Sequence, residues 1–131
     1  MAQVKQVNFS DLNLTFNPHP VTGKLSVLEN NEAVKRSIRN IVLTNHYERP
    51  YQPTFGGNIR TQLFEQLDGL TTSEIKNDIE IAINNFEPRA ELFDIDVTPG
   101  SNENGVDVTI VFRVINQAEP VTVKFFLERV R

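Results

Sequence analysis

Between Glu87 and Glu91 the spacing of apolar residues changes from helical to extended, and a proline, Pro88, stands at the change. Upstream, Ile75, Ile79, Ala82, Ile83 and Phe86 recur at intervals of three and four, which predicts a helix that Pro88 must end. Downstream the period is two: Phe93, Ile95 and Val97 alternate with Asp94 and Asp96, the pattern of a strand with one buried face. After the turn-rich residues 99–105, Val106, Val108, Ile110, Phe112 and Val114 form the inner face of a second strand, opposite Asp107, Thr109 and Arg113. Residues 116–120 turn the chain again, and Val121, Val123, Phe125 and Leu127 form the inner face of a third. Helices followed by a three-stranded antiparallel meander predict an α+β fold, with an N-terminal arm and helices packed against the C-terminal sheet.

The rest of the chain supplies the helical half. Residues 1–23 are polar and broken by Pro18, Pro20 and Gly23, yet Phe9, Leu12, Leu14 and Phe16 can pack an ordered arm onto the core. Leu25, Val27 and Leu28 suggest a short strand. Asn30 or Asn31 then caps a helix over 31–45, with Ala33, Val34, Ile38, Ile41 and Val42 inward and Lys35, Arg36 and Arg39 on a solvated face. Residues 48–57, with two prolines and two glycines, form a structured loop, and Ile59, Leu63, Phe64 and Leu67 mark a short helix after it. Thr71-Thr72-Ser73-Glu74 reads as a capping box opening the last helix. With no repeat or linker, the 131 residues form one domain, helical over about 31–86 and sheet over about 91–130.

Composition narrows the chemistry. The absence of cysteine removes disulfides, thiolate nucleophiles and cysteine-based metal sites, and suits a reducing cytoplasm. There is no apolar run near the ~20 residues of a membrane helix, and the N-terminus shows no basic-then-apolar signal segment. A formal charge of −4 has the wrong sign for sequence-independent binding to nucleic acid. His19 and His46 fall in no ligand pattern, so neither a metal nor another cofactor is expected. No serine sits in a glycine-flanked nucleophile turn, and Gly56-Gly57 is too short for a phosphate-cradling loop.

One catalytic class survives, a glycoside hydrolase using two carboxylates. Asp94 with Asp96, about 7 Å apart along one strand face, Glu29 with Glu32, and Asp78 with Glu80 are candidate pairs. A catalytic acid needs an apolar or like-charged setting, whereas these groups alternate with core residues and face water. The absence of Trp and the presence of only two Tyr leave few platforms for a sugar ring.

Two segments read instead as docking corners. Glu48-Arg49-Pro50 and Glu87-Pro88-Arg89 each set a proline beside an acid and an arginine, which fixes backbone direction while presenting charge. The plainer reading is that Pro88 merely ends a helix between two exposed charges. On the outer face of the last two strands, Val111, Ile115, Phe126 and Val130 exceed the apolar surface that a solvent-facing hairpin needs, so one sheet edge or face is expected to take a partner.

The run Asn31-Glu32-Ala33-Val34-Lys35-Arg36-Ser37-Ile38, then Leu43-Thr44-Asn45, residues 48–59, Leu63-Phe64-Glu65 and Glu87-Pro88-Arg89 together resemble the baseplate wedge sheath-initiator family of contractile-tailed phages, with relatives in type VI secretion baseplates. The resemblance spans roughly residues 9–130. It implies a structural subunit of the virion's tail baseplate, assembled in the host cytoplasm and placed near the tail tube. Its implied partners are other baseplate wedge proteins and the tail sheath protein, with the tube beside them. Glu87, Pro88 and Arg89 would contact the wedge core, with Arg49 supporting that surface. The C-terminal hairpin, through Val111, Ile115, Phe126 and Val130, would template the first sheath ring by strand addition. The same resemblance also brings the description of lysozyme-like activity on peptidoglycan, the enzymatic alternative.

Overall fold

A computed structural model of the chain describes residues 9–66, 68–101, 104–115 and 117–129, with the backbone but not the side chain of Leu28. Its elements run β1 (Ser10–Leu12), β2 (Val27–Glu29), α1 (Asn30–Leu43), a 3-10 helix (Ile59–Phe64), α2 (Gly69–Phe86), β3 (Ala90–Pro99), β4 (Gly105–Val114) and β5 (Pro120–Glu128). The expected α+β architecture is present: β3, β4 and β5 form an antiparallel meander, and β1 and β2 pair antiparallel in a separate two-stranded sheet. None of the described helices is long and apolar enough to cross a membrane.

The core lies between the helices and one face of the large sheet. Val34, Ile38 and Val42 of α1, Ile59 and Leu63 of the 3-10 helix, and Ile75, Ile79 and Ile83 of α2 meet Ile95, Ile110, Phe112 and Leu127 in one buried cluster. The helical residues recur at three and four and the β4 residues at two, so each element buries its apolar stripe against the other layer. α2 packs chiefly over β3.

The strict alternation expected of β3 fails at Phe93. The register shifts between Leu92, opposite Phe112, and Asp94, opposite Val111, so Phe93 is the extra residue of a bulge. Leu92 therefore packs on the core in its place, and Phe93 is 54% exposed. Its ring has the Arg113 guanidinium 5.8 Å from its centre, and Arg113 is ion-paired across the ladder with Glu91.

The helix starts also differ from expectation. α2 is capped by Asp68, whose carboxylate accepts from the backbone N–H groups of Leu70 (3.1 Å) and Thr71 (2.9 Å). Thr71 thus lies inside the first turn and is buried, because Gly69 and Leu70 extend the helix upstream. At α1 the N-cap is Glu29, and Asn30, at φ +47°, uses its side-chain oxygen to accept from the Phe9 N–H (3.3 Å). Among the described residues of the arm only Phe9 reaches the core; Leu12, Leu14 and Phe16 are 45, 49 and 59% exposed. Backbone pairing with β2, rather than apolar packing, holds that segment. The short helix after the loop is 3-10 and leaves Phe64 exposed; Leu67 lies outside the described residues.

Candidate docking surface

Glu87 follows the last residue of α2 and donates its backbone N–H to the Ile83 carbonyl (2.8 Å), while its own carbonyl accepts from Ala90 (3.3 Å). Helix and strand therefore meet in a tight corner around Pro88. The side chain of Glu87 is only 2% exposed, which corrects the picture of two exposed charges flanking the proline. Arg89 Nε and Nη2 donate to its two carboxylate oxygens at 2.7 and 2.9 Å, and the Arg89 backbone N–H adds a third bond at 3.3 Å. Burial pushes the Glu87 pKa up, but these bonds, the Ser37 hydroxyl of α1 and the guanidinium charge together hold it below the usual range.

Arg89 also reaches back across 78 residues to the arm, donating from Nη1 and Nη2 to the two carboxylate oxygens of Asp11 at 3.2 Å each. Its guanidinium lies 5.5 Å from the Phe9 ring centre. The bond to Glu87, opposed by burial and supported by Asp11, raises the Arg89 pKa further. The Glu87–Arg89 pair thus joins α1, through Ser37 on Glu87, to the α2–β3 corner and, through Asp11 on Arg89, to β1.

The first corner is built differently. The Glu48 carboxylate accepts from the backbone and side-chain N–H groups of Asn45 at 3.0 Å each, closing a surface turn. Arg49 donates to Gln52 Oε1 (3.0 Å) and lies 4.2 Å over the Phe55 ring. Phe55 in turn packs on Phe86 at the end of α2, ring centres 4.7 Å apart and tilted 50°. The loop is pinned at Gly56, where φ is +101° and a Cβ would collide with the Thr44 carbonyl oxygen, and at Gly57, whose N–H donates to Ile41 O at 3.2 Å. Phe55 and Phe86, each near one proline corner, thereby bring the two corners to the same end of the molecule.

Between the arm, α1 and this loop lies an open groove of about 540 Å³ lined by Asp11, Leu12, Leu14, Arg36, Arg49 and Phe55, among others. Arg49 and Pro88 are exposed, Arg89 is half-buried, and Glu87 is buried.

Of the residues singled out on the sheet, the described ones, Val111, Ile115 and Phe126, are spread along the outer face. Ile115 and Phe126 are each 46% exposed and Val111 is half-buried, while Val130 lies outside the described residues. Phe126 sits opposite Asp107 and Val111 opposite Thr122, with the polar pair Thr109 and Lys124 between them. β5 pairs with β4 on one side, and among the described residues its other edge takes no strand. The end of β5 is clasped to the body by Arg129, whose Nε donates to Leu63 O and Nη2 to Glu65 O (2.9 Å).

Asp11, Ser37 and Arg129 are the residues that sequence reasoning missed. Asp11 and Arg129 belong to no motif, and Ser37 lies in the 31–38 run without a role read for it; each acts on an element distant along the chain. The candidate carboxylate pairs are used otherwise: Asp78 accepts from Gln62, Glu32 pairs with Lys35 at 3.1 Å, and Asp94 lies 4.0 Å from Lys76. No group of three or more His, Asp or Glu among the described residues could hold a metal ion.

Comparison with known proteins places this arrangement among the structural proteins of contractile-tail baseplates. The chain belongs to the family described as baseplate wedge protein gp25, whose profile matches residues 28–119. It is 33% identical over 89 residues, 68% of this chain and 67% of the relative, to baseplate wedge protein gp25 of Enterobacteria phage T4. Among solved structures it is similar to a candidate tail lysozyme of Geobacter sulfurreducens (27% identity, TM-score 0.73, covering 81% of this chain and 97% of that one). The fold is shared with a chain of the anti-feeding prophage baseplate (23% identity, TM-score 0.64, covering 94% and 87%) and one of the post-contraction pyocin R2 baseplate (16%, 0.53, covering 85% and 97%).

Proposed function

We propose that the protein joins the wedge core through the end of the molecule that carries both proline corners, and starts tail sheath polymerisation through its C-terminal hairpin, beside the tail tube. The observation that carries the reading is the convergence of the corners: Phe55 on Phe86 and Arg89 on Glu87 set Arg49, Pro88 and Arg89 on one rigid end. Pro88, Arg89 and Arg49 make the contact, and Glu87 acts as the positioning group that aims Arg89. The hairpin offers the open edge of β5 to a sheath strand, with main-chain hydrogen bonds giving affinity and Phe126 helping to set register. Assembly takes place in the host cytoplasm before the baseplate enters the virion.

The test is tail assembly with Phe126→Lys and Pro88→Ala in parallel. Phe126→Lys is expected to leave complete baseplates without sheath, and Pro88→Ala to weaken incorporation into the wedge. Sheathed tails at normal yield from Phe126→Lys, with β5 amides exchanging equally fast before and after sheath addition, overturn the hairpin reading.

The likeness to a candidate tail lysozyme motivates a second reading, a glycoside hydrolase. The buried carboxylate Glu87 is held ionised by Arg89, opposite to the raised pKa of a general acid. Peptidoglycan turnover abolished by Glu87→Gln or Asp94→Asn, with folding intact, favours the hydrolase.

A further inference from the structure

We infer that the groove between the arm and α1 takes an extended, acidic segment of another baseplate subunit, added as a third strand to the free edge of β1. The inference rests on the reading of this end of the molecule as a docking surface, and names the kind of segment it receives.

The edge is defined by the β1–β2 ladder. Asn13 N–H donates to Ser26 O (3.1 Å) and Asn30 N–H to Phe9 O (2.8 Å), in the register that sets Asp11 opposite Leu28. Phe9 bonds Asn30, Asp11 faces Leu28 of β2, and Asn13 gives its N–H to Ser26 and its carbonyl to Phe16, so the backbone groups of Ser10 and Leu12 turn the other way. Among the described residues no strand meets that side. An unpaired edge of this kind is a template for an extended chain.

Charge selects the chain. Arg36, half-buried on α1, lines the groove without a carboxylate partner among the described residues. Arg49 lines it too, and its described contacts are a neutral amide and an aromatic ring. The carboxylate of Asp11 is already engaged by Arg89 and does not neutralise them. Two guanidinium groups facing a groove ask for carboxylates. Leu12 and Leu14, 45 and 49% exposed on the opposite wall, ask for apolar side chains. A strand alternating the two supplies both, because successive side chains point to opposite faces. The chain's own residues 1–8 carry Lys5 and no acid, and so lack this complementarity.

The probe is a fluorescein-labelled nine-residue peptide alternating valine and glutamate, titrated against the full chain by anisotropy, with a valine–lysine peptide as control. Binding of the glutamate peptide alone is expected, weakened about tenfold by Arg36→Glu. Leu12→Pro, which removes an outward N–H that the β2 ladder does not use, is expected to weaken it similarly while circular dichroism stays unchanged. Amide exchange at Ser10 and Leu12 should slow on binding.

Failure of the glutamate peptide to bind the full chain, as would follow if its own N-terminus filled the groove, overturns the inference. So does equal binding of the lysine peptide, indifference to both substitutions, or concentration-dependent dimerisation abolished by Arg36→Glu, which would make a second copy the occupant. Wedge association separates the two readings. If Pro88→Ala weakens it and Arg36→Glu and Leu12→Pro do not, the groove inference fails alone; if none of the three matters, the docking surface fails with it.

Discussion

Replacing Arg89 by alanine removes the four side-chain hydrogen bonds that join Glu87 to Asp11, and leaves a carboxylate that is 2% exposed with only Ser37 and a backbone N–H. Removing one partner of a buried ion pair costs about 3–5 kcal/mol, and the 23% exposure of the Arg89 side chain reduces this to about 2–3 kcal/mol. With a urea slope of about 1.5 kcal/mol per molar, the unfolding midpoint at pH 7 should fall by about 1.3–2 M. Asp11→Asn, which touches only the more exposed pair, should cost roughly 0.5–1 kcal/mol.

The pH dependence distinguishes this from simple loss of packing. In the native protein the folded pKa of Glu87 lies below its unfolded value of 4.5, so its contribution is complete above that pH and is lost as pH falls through the folded value. In the variant burial dominates and the folded pKa rises, so the cost is greatest at neutral pH and is relieved as Glu87 takes a proton. The gap between the two proteins should therefore narrow between pH 7 and 4. A variant within 0.5 kcal/mol (~0.3 M urea) of the native protein at pH 7, or a gap that widens on acidification, refutes the argument.

Gly56→Ala forces a Cβ onto the Thr44 carbonyl oxygen at φ +101°, and should cost about 2–4 kcal/mol by thermal unfolding and free the Arg49 loop to proteolysis. Asp68→Ala removes the cap of α2 and should lower the urea midpoint at pH 7. Because the bonds from the Thr71 backbone and side chain, against slight desolvation, set the Asp68 pKa below 3.8, that difference should fade as pH drops through the folded value. Arg129→Ala releases the end of β5 from the 3-10 helix, and hydrogen exchange at residues 125–128 should quicken while global stability falls by about 1 kcal/mol.

Much of the fold was legible because its signals are local. The change of period around Pro88, the inner faces of β4 and β5, and the buried stripe of α2 all follow from side-chain spacing on a regular backbone. The misses are departures from regularity. One extra residue at Phe93 reversed the parity of β3, and two residues before Thr71 moved a cap to Asp68.

By itself, the sequence determined where the main helices and the three strands of the large sheet lie, which faces of α1, α2, β4 and β5 are apolar, and that a proline corner separates the helical half from the sheet. Only the tertiary structure decided what the corner's charges do. Whether Glu87 and Arg89 face solvent or one another depends on Ser37 and on Asp11, 78 residues from Arg89, arriving at the same point. No periodicity encodes such a meeting, because ion-pair geometry is set by how the layers pack and not by the spacing of residues along any one element.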